Sequence, residues 1–296
     1  MRVLVSGASG LIGTELCVQL GAAGHTVARL VRREPRGTDE FRWNPAAQTI
    51  DEAALDGVDA VINLSGASIG RLPWTAGYRR EILDSRVQAT RTLTDAMRRR
   101  ATPPSVLLNA SAVGIYGNRP HEVLTEDSPA GSDFLAKVVT VWETEAARAP
   151  EQTRVVTFRT GLVIARGGAL KPLLPLAKLG LAGPLGKGTQ HWPWVSLHDE
   201  AAAIVHLLTS TLSGPVNVVG PAPATANTVI RAVAAALHRP FLVPVPEFVL
   251  TLALQDAARQ LLLADQQVTA SRLEGDGFVF THRTVAEAVA TMRLRP

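Results

Sequence analysis

Three glycines near the N-terminus constrain the fold of this chain more than any other sequence feature. Gly7, Gly10 and Gly13 follow a short apolar run and precede a segment whose leucines recur at helical spacing. Between a strand and a helix, such glycines permit a tight turn, the approach of a pyrophosphate and close packing of helix on strand. The pattern predicts a dinucleotide-binding turn; a glycine-rich turn without a ligand is the alternative. Its predicted cofactor-binding residues are Gly7, Ser9, Gly10, Leu11, Ile12 and Gly13.

The second predicted strand ends in a basic pair, which bears on the choice of dinucleotide. A protein specific for NAD usually places an acidic residue at this point, whereas this sequence has Arg32 and Arg33. A guanidinium can hold a 2′-phosphate bidentately, and an aspartate would repel it. We therefore predict NADP as the cofactor and favour Arg32, which stands nearer the strand end. The alternative is a solvated surface charge.

Apolar and helical segments alternate through about the first 165 residues. The early strands are continuously apolar, as expected when helices cover both faces of a parallel sheet. This order predicts an α/β fold with a doubly wound parallel sheet, the Rossmann architecture. The predicted strands after the first are 26–31, 60–64, 105–110 and 154–159, and the predicted helices after the first are 75–100 and 133–148.

The character of the sequence changes after Gly161. Gly-Pro pairs separate short apolar pieces, and alanine-rich helical stretches are predicted near 199–209 and 225–237, with a further helix at 248–264. We therefore predict an NADP-binding Rossmann domain at 1–160 and a smaller α/β substrate lobe at 161–296, with a ligand-binding cleft between them.

Two further segments match a known family. Residues 63–66, of sequence Asn-Leu-Ser-Gly, and residues 111–117, of sequence Ser-Ala-Val-Gly-Ile-Tyr-Gly, each follow or end a predicted strand. With the glycine spacing they resemble the extended short-chain dehydrogenase/reductase superfamily, the fold of nucleotide-sugar epimerases. The whole chain is similar to an atypical branch called the epimerase family, or cell-division-inhibitor-like proteins. The segments that carry this narrower match are 83–86, 159–161, 183–188, 192–195 and 277–278.

The resemblance implies further cofactor contacts. Leu64, Ser65 and Gly66 correspond to a turn beside the dinucleotide. Glu81 and Arg86 lie on the following helix, which the resemblance places along the cofactor; taken alone, they are typical of a surface ion pair. Arg159 ends a strand beside the expected nicotinamide site.

The superfamily's catalytic Tyr-x-x-x-Lys pair is only half present. Asp133 stands at the tyrosine position and Lys137 at the lysine position. An unperturbed aspartic acid titrates near pH ~4 and a tyrosine near ~10, so an aspartate is a poor proton donor at neutral pH. The catalytic candidates are therefore Ser111, Tyr116 and Lys137, together with Asp133, which could donate a proton only if burial raised its pKa strongly. The alternatives are that Tyr116 packs against its loop, Ser111 closes a turn and Lys137 is solvated.

Two tryptophans follow a glycine-rich loop in the second lobe. Trp192 and Trp194 would suit stacking on a planar or sugar substrate, or they staple the lobes together. Asp199 is predicted to cap the helix that follows.

Composition excludes several classes of protein. The 30 Lys and Arg and 26 Asp and Glu give a net charge of +4, too small an excess to imply nucleic acid. A single cysteine, Cys17, excludes an internal disulfide or a multi-thiolate zinc site, and no metal site is predicted. We expect no secretory signal, no membrane insertion and a cytoplasmic location.

Two hypotheses of different class remain. The first is an NADP-dependent oxidoreductase or epimerase that acts on an unidentified hydroxyl- or carbonyl-bearing small molecule, with nucleotide sugars among the candidates. The second is a non-catalytic NADP-binding regulatory or redox-sensing module, motivated by the missing tyrosine at position 133. The sequence fits a monomer or a homodimer.

Overall fold

A computed structural model describes residues 1–294 as an α/β fold built on one eight-stranded sheet. The strand order is β11-β8-β6-β5-β1-β2-β3-β4, and all neighbours pair in parallel except β3 and β4. The predicted doubly wound parallel sheet is confirmed. The strands of this sheet are β1 (Arg2–Ser6), β2 (Thr26–Val31), β3 (Glu40–Asn44), β4 (Thr49–Ile50), β5 (Ala60–Asn63), β6 (Val106–Ala112), β8 (Arg154–Thr160) and β11 (Gly214–Val218).

Helices connect and cover these strands, and two small two-stranded sheets, β9 with β10 and β7 with β12, complete the fold. Within residues 1–294 no helix is both long and apolar enough to cross a bilayer. The small strands are β7 (Val123–Leu124), β9 (Leu162–Ile164), β10 (Trp194–Ser196) and β12 (Gln267–Val268). The α-helices are α1 (Leu11–Ala22), α2 (Ala76–Arg98), α3 (Phe134–Ala146), α4 (Leu173–Lys178), α5 (Leu197–Thr209), α6 (Ala226–Ala236), α7 (Glu247–Leu254), α8 (Ser271–Gly275) and α9 (Val285–Ala290).

The central strands are buried on both faces, which explains their continuous apolar sequence. In β1, Val3 and Val5 pack in one core cluster with residues of α1 and α5, whereas Leu4 packs in another with residues of α2. Successive side chains of a strand point to opposite faces, so one strand serves both layers. The predicted helices at 75–100 and 133–148 are confirmed as α2 and α3 within a few residues.

The sequence analysis missed β3 and β4. These strands lie at the sheet edge, and β3 has the sequence Glu-Phe-Arg-Trp-Asn, of which only Trp43 is buried. A half-exposed edge strand lacks the continuous apolar run that identifies a central strand in the sequence.

The chain returns to the main sheet after entering the second lobe. The division at residue 160 assigns α5 and β11 to the smaller lobe, but β11 pairs with β8 at the edge of the main sheet, and α5 packs against α1. The second lobe has its own core, to which α4, α6 and α9 contribute. The predicted helix at 248–264 was wrong as one piece, because α7 ends before Gln255, which adopts a positive φ of 51°, and a π-helical turn follows at Ala258–Leu262.

Candidate functional site

The turn from Gly7 to Gly13 has the geometry that its glycines predict. Gly7 has a φ of +73°, and a Cβ built on it would lie 2.9 Å from the carbonyl of Leu64. A Cβ on Gly13 would lie 2.3 Å from the carbonyl oxygen of Gly7, which no side chain permits. Gly10 precedes α1 as its N-cap and provides no side-chain cap, so the N–H groups of the first turn stay open to a ligand. Ser9, Gly10 and Leu11 are exposed there, and Ile12 is half-buried.

The ends of β1 and β5 are tied together beside this turn. The amide of Leu64 donates to the carbonyl of Ser6 at 3.1 Å, and the Ser65 hydroxyl donates to Ser6 Oγ at 3.0 Å. The buried Asn63 accepts hydrogen bonds from Ser6 Oγ and from the Ser65 amide. The structure thus brings Leu64 and Ser65 next to the glycine turn, and the cofactor contact of residues 64–66 stays a prediction.

The two arginines after β2 have different surroundings. Arg33 binds Glu40 through both terminal nitrogens, at 2.7 and 2.6 Å, and this hydrogen-bonded partner lowers the pKa of Glu40 to about 2. Arg32 is exposed and makes no side-chain hydrogen bond with any residue of the range 1–294. Arg33 is therefore paired within its own chain, whereas Arg32 has no side-chain partner among residues 1–294.

Arg86 supports the loop after β5 rather than forming an ion pair with Glu81. Its guanidinium donates to the carbonyls of Ala67 and Ile82, at 3.0 and 2.9 Å, and lies over the Trp142 ring. Burial lowers the pKa of Arg86 to about 10. A Cβ on Gly66 would lie 3.1 Å from Arg86 Cζ, so the loop backbone rests on this side chain. Glu81 is exposed, and the ion pair with Arg86 that was the alternative is not formed.

Asp133 caps α3. Its Oδ1 accepts a hydrogen bond from the Ala136 amide at 2.9 Å, which closes the first turn of the helix. Lys137 lies on the exposed side of the same helix, and its side chain makes no hydrogen bond within the described part of the chain. The tyrosine position thus holds a hydrogen-bond acceptor that its own helix uses.

Three of the candidate residues, Ser111, Tyr116 and Arg159, form a polar network with Glu143 and Asn217. Glu143 of α3 accepts bonds from both Arg159 Nε and Nη2 at 2.9 Å and from the Ser111 hydroxyl at 2.5 Å. Arg159 Nη1 donates to the Tyr116 hydroxyl at 2.9 Å, and that hydroxyl donates to Asn217 Oδ1 at 2.7 Å. The network joins β6, α3, β8 and β11 through their side chains.

This network encloses the catalytic candidates Tyr116 and Ser111 and favours the alternative that both side chains support the fold. Tyr116 is fully buried and Ser111 is 3% exposed, so their hydroxyls face protein groups. Burial lowers the pKa of Arg159, but the hydrogen bonds and charge of Glu143 outweigh this and raise it above its ordinary value. Burial also raises the pKa of Tyr116. Sequence reasoning missed Glu143 and Asn217, because nothing in their local sequence separates them from other helix and strand residues.

The two tryptophans are core residues, which corrects their prediction as stacking surfaces. Trp192 is 3% and Trp194 1% exposed. The indole N–H of Trp192 donates to the Leu262 carbonyl and that of Trp194 to the Ala222 carbonyl. A buried indole must find an acceptor for its N–H. Each tryptophan therefore links two segments of the second lobe by a hydrogen bond.

The start of α5 holds a carboxyl group that sequence reasoning missed. Ser196, not Asp199, is the N-cap of α5, and Asp199 instead accepts hydrogen bonds from the amides of Thr281 and His282. Glu200 is fully buried; Oε1 accepts from the Thr160 hydroxyl at 2.6 Å, and Oε2 has no partner among the described residues. Burial raises the pKa of Glu200 to about 8, so it is largely protonated at neutral pH.

Comparison with known proteins finds relatives over the whole chain. Residues 3–220 match the NAD dependent epimerase/dehydratase family, and residues 245–292 match a domain of unknown function, DUF1731. An epimerase family protein of Mycobacterium bovis is 41% identical over 298 residues, covering 99% of this chain and 98% of the relative. The human epimerase family protein SDR39U1 is 34% identical over 294 residues, covering 98% of each chain.

A crystal structure of human SDR39U1 (isoform 2) with NADPH is similar to this fold. The TM-score is 0.90 at 33% sequence identity, and the match covers 99% of both chains. The extent of the family match and the identity to these relatives confirm the resemblance to the extended short-chain dehydrogenase/reductase superfamily and its epimerase family, whereas the cell-division-inhibitor-like label stays a prediction. This chain belongs to the NAD-dependent epimerase/dehydratase family, as an atypical extended short-chain dehydrogenase/reductase.

Proposed function

We propose that this chain binds NADPH and is an NADP-dependent oxidoreductase or epimerase acting on a hydroxyl- or carbonyl-bearing small molecule. The observation that carries the proposal is the glycine turn after β1, whose bare backbone lies at an uncapped helix start. The NADPH in the structure of the human relative supports the choice of cofactor. Nucleotide sugars stay among the candidate substrates.

The residues around the turn fit a dinucleotide. Gly10 is exposed, and a Cβ built on it would meet only the Gly7 carbonyl oxygen, at 3.2 Å, so the space in front of the helix start is open. The first-turn N–H groups of α1 would hold the pyrophosphate, and Arg32 would hold the 2′-phosphate. When bound, the nicotinamide supplies hydride transfer to or from a substrate carbon.

The four catalytic candidates differ in whether their side chains are available to bind a ligand. Lys137 is exposed on α3 and is free to donate a hydrogen bond to the cofactor ribose or to a substrate oxygen. Asp133 is engaged as a cap, and the hydroxyls of Ser111 and Tyr116 are engaged in the buried network. We therefore assign Lys137 the ligand-facing role and the other three a supporting role.

The test is a fluorescence titration of the purified protein with NADPH and NADH. We expect NADPH to bind at least about tenfold more tightly, and Arg32→Glu to remove that preference, since one charge-assisted contact contributes about 1.5–3 kcal/mol. Arg99→Glu is the control. Arg99 is also exposed, but it follows the end of α2, near the amino ends of the strands and far from the glycine turn. A chain that binds neither nucleotide, or an Arg32→Glu variant that keeps the preference, would contradict the proposal. A substrate screen that follows NADPH oxidation then tests turnover.

A further inference from the structure

Exposed apolar side chains are concentrated on one part of the second lobe. Of the fourteen large apolar side chains that residues 1–294 expose, eight lie in three short segments, 176–181, 242–243 and 248–252. Among them, Phe248 is 69% exposed and Leu252 81% exposed. Single exposed apolar side chains are common on soluble proteins, whereas a group of this size is typical of a surface that another molecule covers.

The three segments lie side by side. The amide of Leu242 donates to the Ala182 carbonyl at 2.8 Å, so the second segment adjoins the end of the first. Leu181 and Val245 line one shallow pocket, and α7, which carries the third segment, begins two residues after Val245. We call the surface formed by these three segments the apolar face.

The area of the apolar face matches that of a protein–protein interface. Its eight side chains are 39–81% exposed, and at roughly 150–250 Å² for a fully exposed large side chain they present on the order of 800 Å². The largest apolar patch of a typical monomer covers about 300–600 Å². A standard interface buries about 800 Å² on each partner. The apolar face is therefore large enough for a stable complex.

The backbone of the second segment is closed to an added β-strand. Pro244 and Pro246 have no N–H group. The amides of Leu242, Val243 and Val245 already donate to carbonyls of the neighbouring segment, those of Ala182 and Pro184. From 242 to 246, no backbone N–H is therefore free for a partner strand. A partner must pack against the side chains of the apolar face rather than extend a sheet.

Charges of opposite sign lie at the two ends of the apolar face. Residues 182–185 run parallel to residues 241–245. Exposed Lys178 and Arg239 precede these paired segments, whereas exposed Glu247 follows them. When two copies of such a surface meet across a twofold axis perpendicular to it, each end meets the opposite end of the other copy. The cations of one copy then face the carboxylate of the other, so the apolar face is complementary to itself.

We propose that the apolar face is the interface of a homodimer in which two copies of this chain pack about a twofold axis. A lipid bilayer suits the face less well, because Glu247 adjoins Phe248 and its carboxylate would lose water without gaining a cation. The dimer does not require the cofactor, so the proposal holds or fails independently of the proposed function.

Sedimentation velocity of the purified chain, from nanomolar to tens of micromolar concentration, tests the dimer. We expect a monomer–dimer equilibrium in the wild type. Leu252→Asp should raise the dissociation constant at least about a hundredfold, because the twofold axis places the new carboxylate in the interface twice. Val279→Asp is the matched control and should leave the dimer unchanged. Val279 is 76% exposed, follows α8 and lies outside the apolar face.

A charge exchange tests how the two copies are oriented. Glu247→Lys should weaken the dimer, because it places a further cation opposite Lys178 and Arg239 of the other copy. Adding Lys178→Glu to this variant should restore part of the lost affinity. A double variant that dimerises no better than Glu247→Lys would contradict the pairing of opposite ends.

Three results would overturn the proposal. The first is a wild type that stays monomeric at tens of micromolar concentration. The second is a dimer that Leu252→Asp leaves intact, which would place the interface elsewhere. The third is binding of the wild type, but not of Leu252→Asp, to phosphatidylcholine vesicles without a dimer in solution. Circular dichroism checks that each variant is folded. NADPH titration of the same samples is read separately, because a wild type that dimerises without binding NADPH contradicts only the proposed function.

Discussion

The helices α1 and α3 both begin at the carboxyl edge of the sheet, yet their first turns are satisfied in opposite ways. α1 begins after Gly10, which has no side chain and leaves the first N–H groups open. α3 begins after Asp133, whose carboxylate accepts a hydrogen bond from the Ala136 amide. The same partial positive charge thus faces a ligand space in one helix and an internal carboxylate in the other.

The comparison explains why the family's catalytic pattern does not transfer to position 133. A tyrosine would have to present its hydroxyl to a substrate, whereas Asp133 turns its carboxylate onto its own helix. Around α3, polar groups other than Lys137 are paired with one another: Glu143 accepts hydrogen bonds from Arg159 and Ser111, and Arg159 donates one to Tyr116. At the start of α1, the first backbone N–H groups have no side-chain cap. The start of α1 therefore keeps N–H groups available for the cofactor that we propose, whereas the start of α3 uses its N–H groups for helix stability.

The largest expected effect concerns a third helix start at the same edge, that of α5. The ordinary pKa of a glutamate is 4.5, and burial raises the pKa of Glu200 to about 8. Between these pH values the folded chain keeps a proton that the unfolded chain has lost, so stability falls as pH rises from about 4.5 to about 8. The difference between the two pKa values corresponds to a loss on the order of 5 kcal/mol in the free energy of unfolding.

Urea unfolding at pH 5 and pH 8.5 measures this effect. We expect Glu200→Gln to lose much less stability than the wild type between the two pH values, because its side chain does not ionise. Glu151→Gln, which removes an exposed carboxylate in a loop, should behave as the wild type. The same pH dependence in Glu200→Gln and wild type would show that Glu200 does not hold a proton in the folded chain.

The next effect tests whether the open turn of α1 depends on its glycines. Gly13→Ala should cost about 1–3 kcal/mol of stability and abolish NADPH binding, because the new Cβ would lie 2.3 Å from the Gly7 carbonyl oxygen. Gly21→Ala in the same helix meets no atom within 4 Å and should add about 0.5–1 kcal/mol without changing NADPH affinity. Thermal unfolding and nucleotide titration of both variants check this. Tight NADPH binding by Gly13→Ala would remove the contrast between α1 and α3.

The smallest effect tests the capped start of α3. Asp133→Ala should cost about 1 kcal/mol, since it removes a side-chain cap, and Asp133→Asn should retain most of that stability. Neither change should alter NADPH affinity more than about twofold, because the carboxylate serves its own helix. Thermal unfolding with parallel NADPH titration measures both quantities. If Asp133→Asn keeps the stability but loses the nucleotide, Asp133 contacts the cofactor and the assignment as a cap alone is wrong.

The elements that the sequence predicted well share one property, which is a strong local signal. The central strands are continuous apolar runs, and α2 and α3 follow helical spacing, so their positions were predicted within a few residues. The edge strands β3 and β4 and the break at Gln255 lack such a signal. The wrong assignments of Trp192 and Trp194 had the same origin, because a local sequence does not reveal whether an indole is exposed or buried.

Local sequence patterns were sufficient to predict the family, the parallel sheet and the conformation of the glycine turn. Each of these depends on residues close together in the chain, above all on glycines whose Cβ atoms would clash with neighbouring backbone. Three features become visible only in the folded chain: Arg33 binds Glu40 and leaves Arg32 exposed, Tyr116 and Arg159 belong to a buried network, and Glu200 is enclosed. The physical reason is that burial and pairing depend on partners distant in sequence: Tyr116 and Asn217 are 101 residues apart and meet through one hydrogen bond.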